Sequence, residues 1–248
     1  MRYFIELSYN GKAYHGWQNQ PDAISVQEVL EHTLSTLLKH NIAIVGAGRT
    51  DAGVHAKLMV AHFDFDQVFP ENFLFKLNAF LPRDISIIDI YQVQKEAHAR
   101  FDALSRTYKY RVATKKNVFN FDFAYALQKP LNVVLMQEAC QILCQYNDFQ
   151  CFSKVNTDVN TYYCKLIKAE WYQDGDELVF MIQADRFLRN MVRAIVGTMI
   201  NIGLGKMALE SLHGIIKSKN RSEAGFSVPA HGLYLVDIDY PEHIKLLS

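Results

Sequence analysis

Across residues 2 to 93 the spacing of hydrophobic side chains alternates between a repeat of two and a repeat near 3.6, and the order of those repeats narrows the fold more than any other feature. Tyr3, Ile5, Leu7 and Tyr9 share one parity in the run from Arg2 to Tyr9, as residues on one face of a strand do. Ser25-Val26-Gln27-Glu28 then carries a capping box, in which serine and glutamate satisfy each other's unpaired amides at a helix start. Val26, Val29, Leu30, Thr33, Leu34, Leu37 and Leu38 follow at helical spacing, so the helix ends near Lys39 with one apolar face. Strands are expected over Ile42 to Val45 and Leu58 to Phe65. A helix opened by Pro70 and carrying Phe73, Leu74, Leu77 and Phe80 comes next, then a strand from Ile85 to Val93. Strand, helix, strand, strand, helix, strand is the order of a ferredoxin-like (RRM-like) unit.

The remainder repeats that order less cleanly. A strand from Thr107 to Ala113, a helix from about Asn132 to Gln145, and strands from Leu166 to Tyr172 and Leu178 to Gln183 are expected. Phe187, Leu188, Met191, Val192, Ile195, Val196 and Met199 form the apolar stripe of a strong helix. A shorter helix from about Leu209 to Lys217 and a strand from Leu233 to Asp239 close the chain. No sequence repeat is obvious, so duplication rests on element order alone. The expected fold class is α+β: two ferredoxin-like halves, residues 1–103 and 104–248, forming a mainly antiparallel sheet with helices packed on one side and a central cleft. No proline- or serine-rich linker divides them.

Composition removes several function classes. Half of the 248 residues are hydrophobic, ample for a core, and no run of 18 apolar residues suggests a membrane span. The amino terminus lacks a small-residue cleavage site, which argues against export. Lys plus Arg equal Asp plus Glu at 26 each, so any nucleic-acid surface must be a local one. Cys140, Cys144, Cys151 and Cys164 make no CxxC pair and are read as reduced, cytosolic and mostly structural.

The densest motif is Gly46-Ala47-Gly48-Arg49-Thr50-Asp51-Ala52-Gly53-Val54-His55, where glycines hold an arginine and an aspartate two residues apart on a tight loop. Asp51 stands where the third glycine of a dinucleotide fingerprint belongs, and an acid there would face a pyrophosphate unfavourably. A Walker loop fails for want of its GK[ST] ending. Two readings of Asp51 stay open: pairing with Arg49 or capping a turn, and acting as a lone catalytic carboxylate kept ionised by a nearby cation. No HExxH, GxSxG or HxE with PCxxC occurs. His55 and His62 lack an acid or cysteine to complete a metal set and read as structural.

From Ala103 to Phe121 there is no acid at all, while Arg106, Lys109, Arg111, Lys115 and Lys116 interleave with Tyr108 and Tyr110. Aromatics beside cations on a sheet can stack unpaired bases and neutralise phosphates; a partly exposed strand with solvated charges would look the same. Strand parity puts Arg106, Tyr108 and Tyr110 on one face and Lys109 and Arg111 on the other. Arg186, Arg189 and Arg193 lie at i, i+3 and i+7 on the expected long helix, a basic stripe beside the apolar one. Arg193, flanked by Val192 and Ile195, needs a carboxylate or phosphate partner, and Asp51 is a candidate.

Taken in order, Tyr14-His15-Gly16-Trp17-Gln18, Ser25-Val26-Gln27, Gly48-Arg49-Thr50-Asp51-Ala52-Gly53-Val54-His55, His98-Ala99-Arg100-Phe101, Arg106-Thr107-Tyr108-Lys109-Tyr110, Asn190-Met191-Val192-Arg193 with Ile195-Val196-Gly197, and Gly232-Leu233-Tyr234-Leu235 cover nearly the whole chain. The sequence carrying them resembles the tRNA pseudouridine synthase A family. That resemblance implies an isomerase converting uridine to pseudouridine at positions 38, 39 and 40 of the tRNA anticodon stem-loop. Asp51 falls on the family's essential aspartate, Tyr108 on its base-stacking tyrosine, Arg193 on the basic partner of the aspartate and Arg49 on the arginine that helps displace the nucleotide. Arg106 and Lys109 are further expected substrate contacts. The resemblance also implies a metal-free and cofactor-free homodimer with a positively charged cleft, whose partner is the tRNA anticodon arm; the reading of the cysteines makes its expected location cytoplasmic. A noncatalytic RNA-binding module is the alternative, and a nucleotide-binding α/β enzyme a third reading.

Overall fold

In chain order the first part of the molecule contains β1 (Arg2–Tyr9), α1 (Val26–Leu38), β2 (Val45–Gly46), β3 (His55–Asp64), α2 (Phe73–Phe80) and β4 (Ile85–Val93). The second contains β5 (Ser105–Ala113), β6 (Tyr125–Ala126), α3 (Val133–Leu143), β7 (Leu166–Asp174), β8 (Glu177–Ala184), α4 (Met191–Gly203) and α5 (Ser211–Ser218), and β9 (Leu233–Asp239) ends the series. This computed structural model describes residues 1–155 and 159–246. The fold is α+β, with a mixed sheet and, among the described residues, five α-helices. None of those helices is long and apolar enough to cross a membrane.

Two compact units share the chain. One comprises Met1–Ser105 with Leu235–Ser248, and the other Arg106–Tyr234. The sequence reading placed 104–248 in one half. In the structure the closing segment returns to the first unit, where the Leu104 amide donates to the Asp239 carbonyl at 2.8 Å and the Ser105 hydroxyl to the Asp239 carboxylate.

In the first unit β1 is central, antiparallel to β3 on one side and β4 on the other, with Phe4 opposite both His62 and Tyr91. The alternation expected from sequence is realised: Tyr3, Ile5, Leu7 and Tyr9 are buried, with Phe4 buried as well because the strand lies inside the sheet. Ser25 caps α1, its Oγ accepting from the Glu28 amide at 3.1 Å, and Lys39 closes the helix in the left-handed region at φ 56°. Of the strand expected over residues 42 to 45 only Val45 pairs with β3, and β2 continues into Gly46. The cause is α1: Ser35 Oγ accepts from the Ile42 amide and Glu31 Oε1 from the Ile44 amide, both at 2.9 Å, which withdraws those donors from a ladder. α2 starts at Phe73 rather than near Pro70, because Asn72 takes a left-handed backbone, φ 56°.

In the second unit β8 lies between β5 and β7, antiparallel to both, and the short β6 runs parallel to β5, which makes the sheet mixed. α4 is buried along its whole length except at Arg193 and Asn201. It begins at Met191, not at Phe187, because Asn190 is left-handed with φ 67°. Arg186 and Arg189 therefore precede the helix, and the three-arginine stripe expected from spacing does not form. The Asp148–Phe152 segment packs inward, with Phe149, Cys151 and Phe152 fully buried. All four cysteines are unbonded thiols; Cys140, Cys151 and Cys164 are buried, and burial pushes each up to about 12.

Both histidines weighed as metal ligands serve the backbone. His55 Nδ1 accepts from the Gly11 amide and His62 Nδ1 from the Ala99 amide, each at 3.1 Å. Burial holds the His62 imidazole down to about 4, aided by His98, whose ring is 4.6 Å away, and by Arg2, while Asp64 and Asp102 oppose the shift. Because this folded-state value lies below the ordinary 6.5, the unfolded chain takes up the proton first as pH falls. Stability from His62 is complete above about pH 6.5 and is lost at about 1.4 kcal/mol per pH unit on descending towards pH 4. Urea midpoints for the native protein should fall across that window, and His62→Gln should flatten the decline; equal slopes in the two proteins would contradict this role of His62.

Candidate active site

In the first unit the Asp51 loop rests on a second loop, residues 10–17, through backbone-to-backbone contacts. Gly16 takes φ +92°, and a Cβ there would stand 2.2 Å from the Thr50 carbonyl oxygen. A Cβ on Gly11 would stand 1.9 Å from the Val54 carbonyl oxygen. Only glycine allows either approach. Hydrogen bonds complete the junction: the Gly53 amide donates to the Tyr14 carbonyl at 3.2 Å, the Trp17 amide to the Thr50 carbonyl at 3.4 Å, and Tyr9 Oη and Thr50 Oγ1 lie 2.9 Å apart. Trp17, 2 % exposed, anchors the supporting loop in the core. Tyr14, whose hydroxyl donates to Asp84 at 2.6 Å, secures its other end.

Asp51 itself is half-buried, and its main-chain carbonyl accepts from the Val54 amide at 3.1 Å to close the turn. Arg49 is exposed and makes no salt bridge with any described residue; the Arg49–Asp51 pair that spacing allowed is not formed. Of the loop's glycines, Gly53 takes a positive φ of 78° and Gly46 lies against the Trp17 ring, whereas Gly48 faces open space.

The other expected site residues lie in the second unit. Tyr108 on β5 is half-buried, with its ring edge-to-face on Phe187 at 5.1 Å. Tyr110, which shares its parity, is fully buried and donates its hydroxyl to the Pro229 carbonyl at 2.9 Å, so it packs rather than presenting a surface. Arg106 donates from Nη1 to the Asp185 carbonyl at 2.8 Å. On the opposite face of β5, Lys109 Nζ sits 5.5 Å from the centre of the Tyr172 ring. Two of the cations in this stretch are taken up by acids of the β7–β8 hairpin, Arg111 by Glu177 and Lys115 by Asp176. Arg193, in the first turn of α4, is half-buried and donates from Nε to the Val228 carbonyl at 2.8 Å. Asp51 and Arg49 thus belong to one compact unit, and Tyr108, Arg106, Lys109 and Arg193 to the other.

Arg221, Ser227 and Asn190 form a hydrogen-bonded set beside Arg193. Asn190 stands in the same motif as Arg193, but the sequence does not point to Arg221 and Ser227, because no spacing rule links positions that far apart in the chain and only the fold reveals them.

A model of the tRNA pseudouridine synthase family matches residues 7–102 and 139–241. The chain is 52% identical over 245 residues to a protein of Parabacteroides distasonis named tRNA pseudouridine synthase A, covering 98% of this chain and 97% of that one. It is 50% identical over 246 residues to the protein of that name from Bacteroides fragilis, covering 98% of both, and 47% identical over 251 residues to that of Porphyromonas gingivalis, covering 99% of both. The chain belongs to the tRNA pseudouridine synthase family, isomerases that act on tRNA.

Gly16→Ala tests the junction beneath Asp51. Its Cβ must displace the Thr50 carbonyl or force residue 16 out of its left-handed backbone, at a cost of about 2 kcal/mol or more. Urea unfolding should report that loss, and pseudouridine formation should fall at least tenfold in protein that remains folded. Native turnover in the folded variant would show that this contact does not place the carboxylate.

Proposed function

We propose that this protein isomerises uridine to pseudouridine at positions 38, 39 and 40 of the tRNA anticodon stem-loop, with Asp51 as its catalytic carboxylate. The observation that carries the reading is the glycine-locked loop that holds Asp51 half-buried, in a chain belonging to this family. Tyr108 stacks on the target base, Arg193 is the cationic partner of the carboxylate, and Arg49, exposed on the same loop as Asp51, occupies the space the base leaves. Arg106 and Lys109 contact the RNA.

The architecture in this proposal is two ferredoxin-like halves, each with its helices on one side of its strands. Strand order in the first unit supports it: β4, β1 and β3 lie side by side, with β2 on β3, after a βαββαβ element order. In the second unit β5, α3, β7, β8, α4 and the start of β9 follow the same order, with β6 added after β5 and α5 after α4. The protein works as a cytoplasmic homodimer on the tRNA anticodon arm; the name tRNA pseudouridine synthase A, carried by the relatives from Parabacteroides distasonis and Bacteroides fragilis, supports tRNA as the partner.

The reaction breaks the N1–C1' bond of a uridine and joins C1' to C5, whose proton then leaves while N1 gains one. Substrate and product are isomers, so no redox equivalent or group donor is consumed. C5 is hidden in a stacked helix, and the base must turn out at a cost of a few kcal/mol. An aromatic face recovers about 1–3 kcal/mol by stacking, and an arginine in the vacated space limits the loss from unstacking its neighbours. Ionised Asp51 can then attack C1', add to C6 of uracil, or remove the C2' proton. Each route needs an anionic oxygen held at a fixed point beside the nucleotide.

The test is an anticodon-arm transcript mapped by carbodiimide for pseudouridine. Modification at positions 38 to 40 is expected, and Asp51→Asn should lower turnover about 10³-fold or more while leaving RNA affinity within about twofold. Bound but unmodified RNA with the native protein would overturn the assignment in favour of a noncatalytic RNA-binding module. In the same assay Tyr108→Phe should act within a few-fold of native, since stacking survives, whereas Tyr108→Leu should lose about tenfold or more. Equal losses in the two variants would show that the hydroxyl, not the ring face, is what the reaction uses.

A further inference from the structure

Arg193 is the only charged residue on α4, and its guanidinium is set by a strap of chain, residues 225–228, laid along the first two turns of that helix from Arg193 to Thr198. The contact is reciprocal. The Val228 amide donates to the Arg193 carbonyl at 3.2 Å, and Arg193 Nε donates back to the Val228 carbonyl at 2.8 Å. The second bond fixes the plane of the guanidinium, so a shift of Val228 turns the charged end of Arg193. The strap's other end is fastened to the helix by the Gly225 amide, which donates to Thr198 Oγ1 at 2.8 Å.

What holds the strap in register is Arg221. Its Nη1 donates to the Gly225 carbonyl at 3.0 Å and its Nη2 to Ser227 Oγ at 2.8 Å. Ser227 Oγ also accepts from the Asn190 side-chain amide at 2.7 Å, and Asn190 is the left-handed residue that caps α4. One hydroxyl thus ties the strap to the helix start while the arginine fork spans the strap from Gly225 to Ser227. Among the described residues Arg221 makes no salt bridge with a carboxylate. Its hydrogen bonds go to neutral oxygens of the strap, an arrangement in which a half-buried guanidinium acts as a planar brace rather than as an ion-pair partner.

We infer that Arg221, through Ser227 and the 225–228 strap, is a positioning residue for Arg193 in the isomerisation. The inference rests on the reading of Arg193 as the cationic partner of Asp51. A displacement of about an ångström at a reacting centre costs on the order of 10² in rate. Removing the fork should therefore register in the chemical step, not in binding.

The experiment is a double-mutant cycle on the full-length protein, with pseudouridine formation followed by tritium release from an anticodon-arm RNA labelled at uridine C5. Arg221→Met should lower kcat about tenfold to a hundredfold and leave KM within about twofold. In the Arg193→Met background the same change should cost nothing further, because the residue it positions is gone. Arg221→Lys, lacking the fork, should restore at most a small part of the rate. An equal loss in both backgrounds overturns the inference, as does a raised KM with kcat unchanged, which would make Arg221 an RNA contact. Native turnover in Arg193→Met would overturn the reading of Arg193 and this inference together, whereas a slow Arg193→Met with uncoupled Arg221 overturns the inference alone. Should Arg221→Met not fold, Ser227→Ala removes the shared acceptor and enters the same cycle with the same expectations.

Discussion

Two carbonyl oxygens, those of Thr50 and Val54, lie so close to the backbone of Gly16 and Gly11 that no side chain fits between. This contact brings two loops of the first unit into direct main-chain register, and the position of Asp51 depends on it. A carboxylate on a freely moving loop would lose orientational entropy each time a substrate bound. Here that entropy is lost on folding, offset by the buried Trp17 and by hydrogen bonds such as Gly53 to Tyr14 and Tyr9 to Thr50. Asp51 stays half-buried.

The second unit treats its cations by a different rule. Its basic stretch looks like one surface in the sequence, yet its members have distinct duties. Arg111 and Lys115 balance the acids of the β7–β8 hairpin, Lys109 rests over Tyr172, and Tyr110 is enclosed by the chain around Pro229. What remains poised at a half-exposed surface is Tyr108, with its ring held against Phe187. A chain with no net charge can serve an RNA in this way, because phosphate contacts depend on where cations stand and not on their total.

Much of this was legible from residue order. β1, β4 and β9 fall on the expected residues, and α1 runs from its capping box to a left-handed Lys39, since period and caps are local signals. The failures have local causes of another kind. Ile42 and Ile44 give their amides to side chains of α1, so a β-branched run did not become a strand. Asn190 adopts a left-handed backbone that periodicity cannot register, which shortened α4 and separated Arg186 and Arg189 from Arg193. For the site, the glycine loop announced Asp51, while the need for Gly16 beneath it was visible only as part of a family motif. Arg221 and Ser227 gave no signal because they meet Asn190 and the start of α4 through tertiary structure alone.

The most direct measurement is a nucleoside-resolution pseudouridine map of tRNA from cells of the source organism lacking this chain, and from the same cells given back either the native chain or the Asp51→Asn chain. The expected result is loss of pseudouridine at positions 38 to 40 on deletion, restoration by the native chain only, and no change elsewhere in the tRNA. An unchanged anticodon arm in the deletion strain, or restoration by Asp51→Asn, would contradict the role given to that carboxylate.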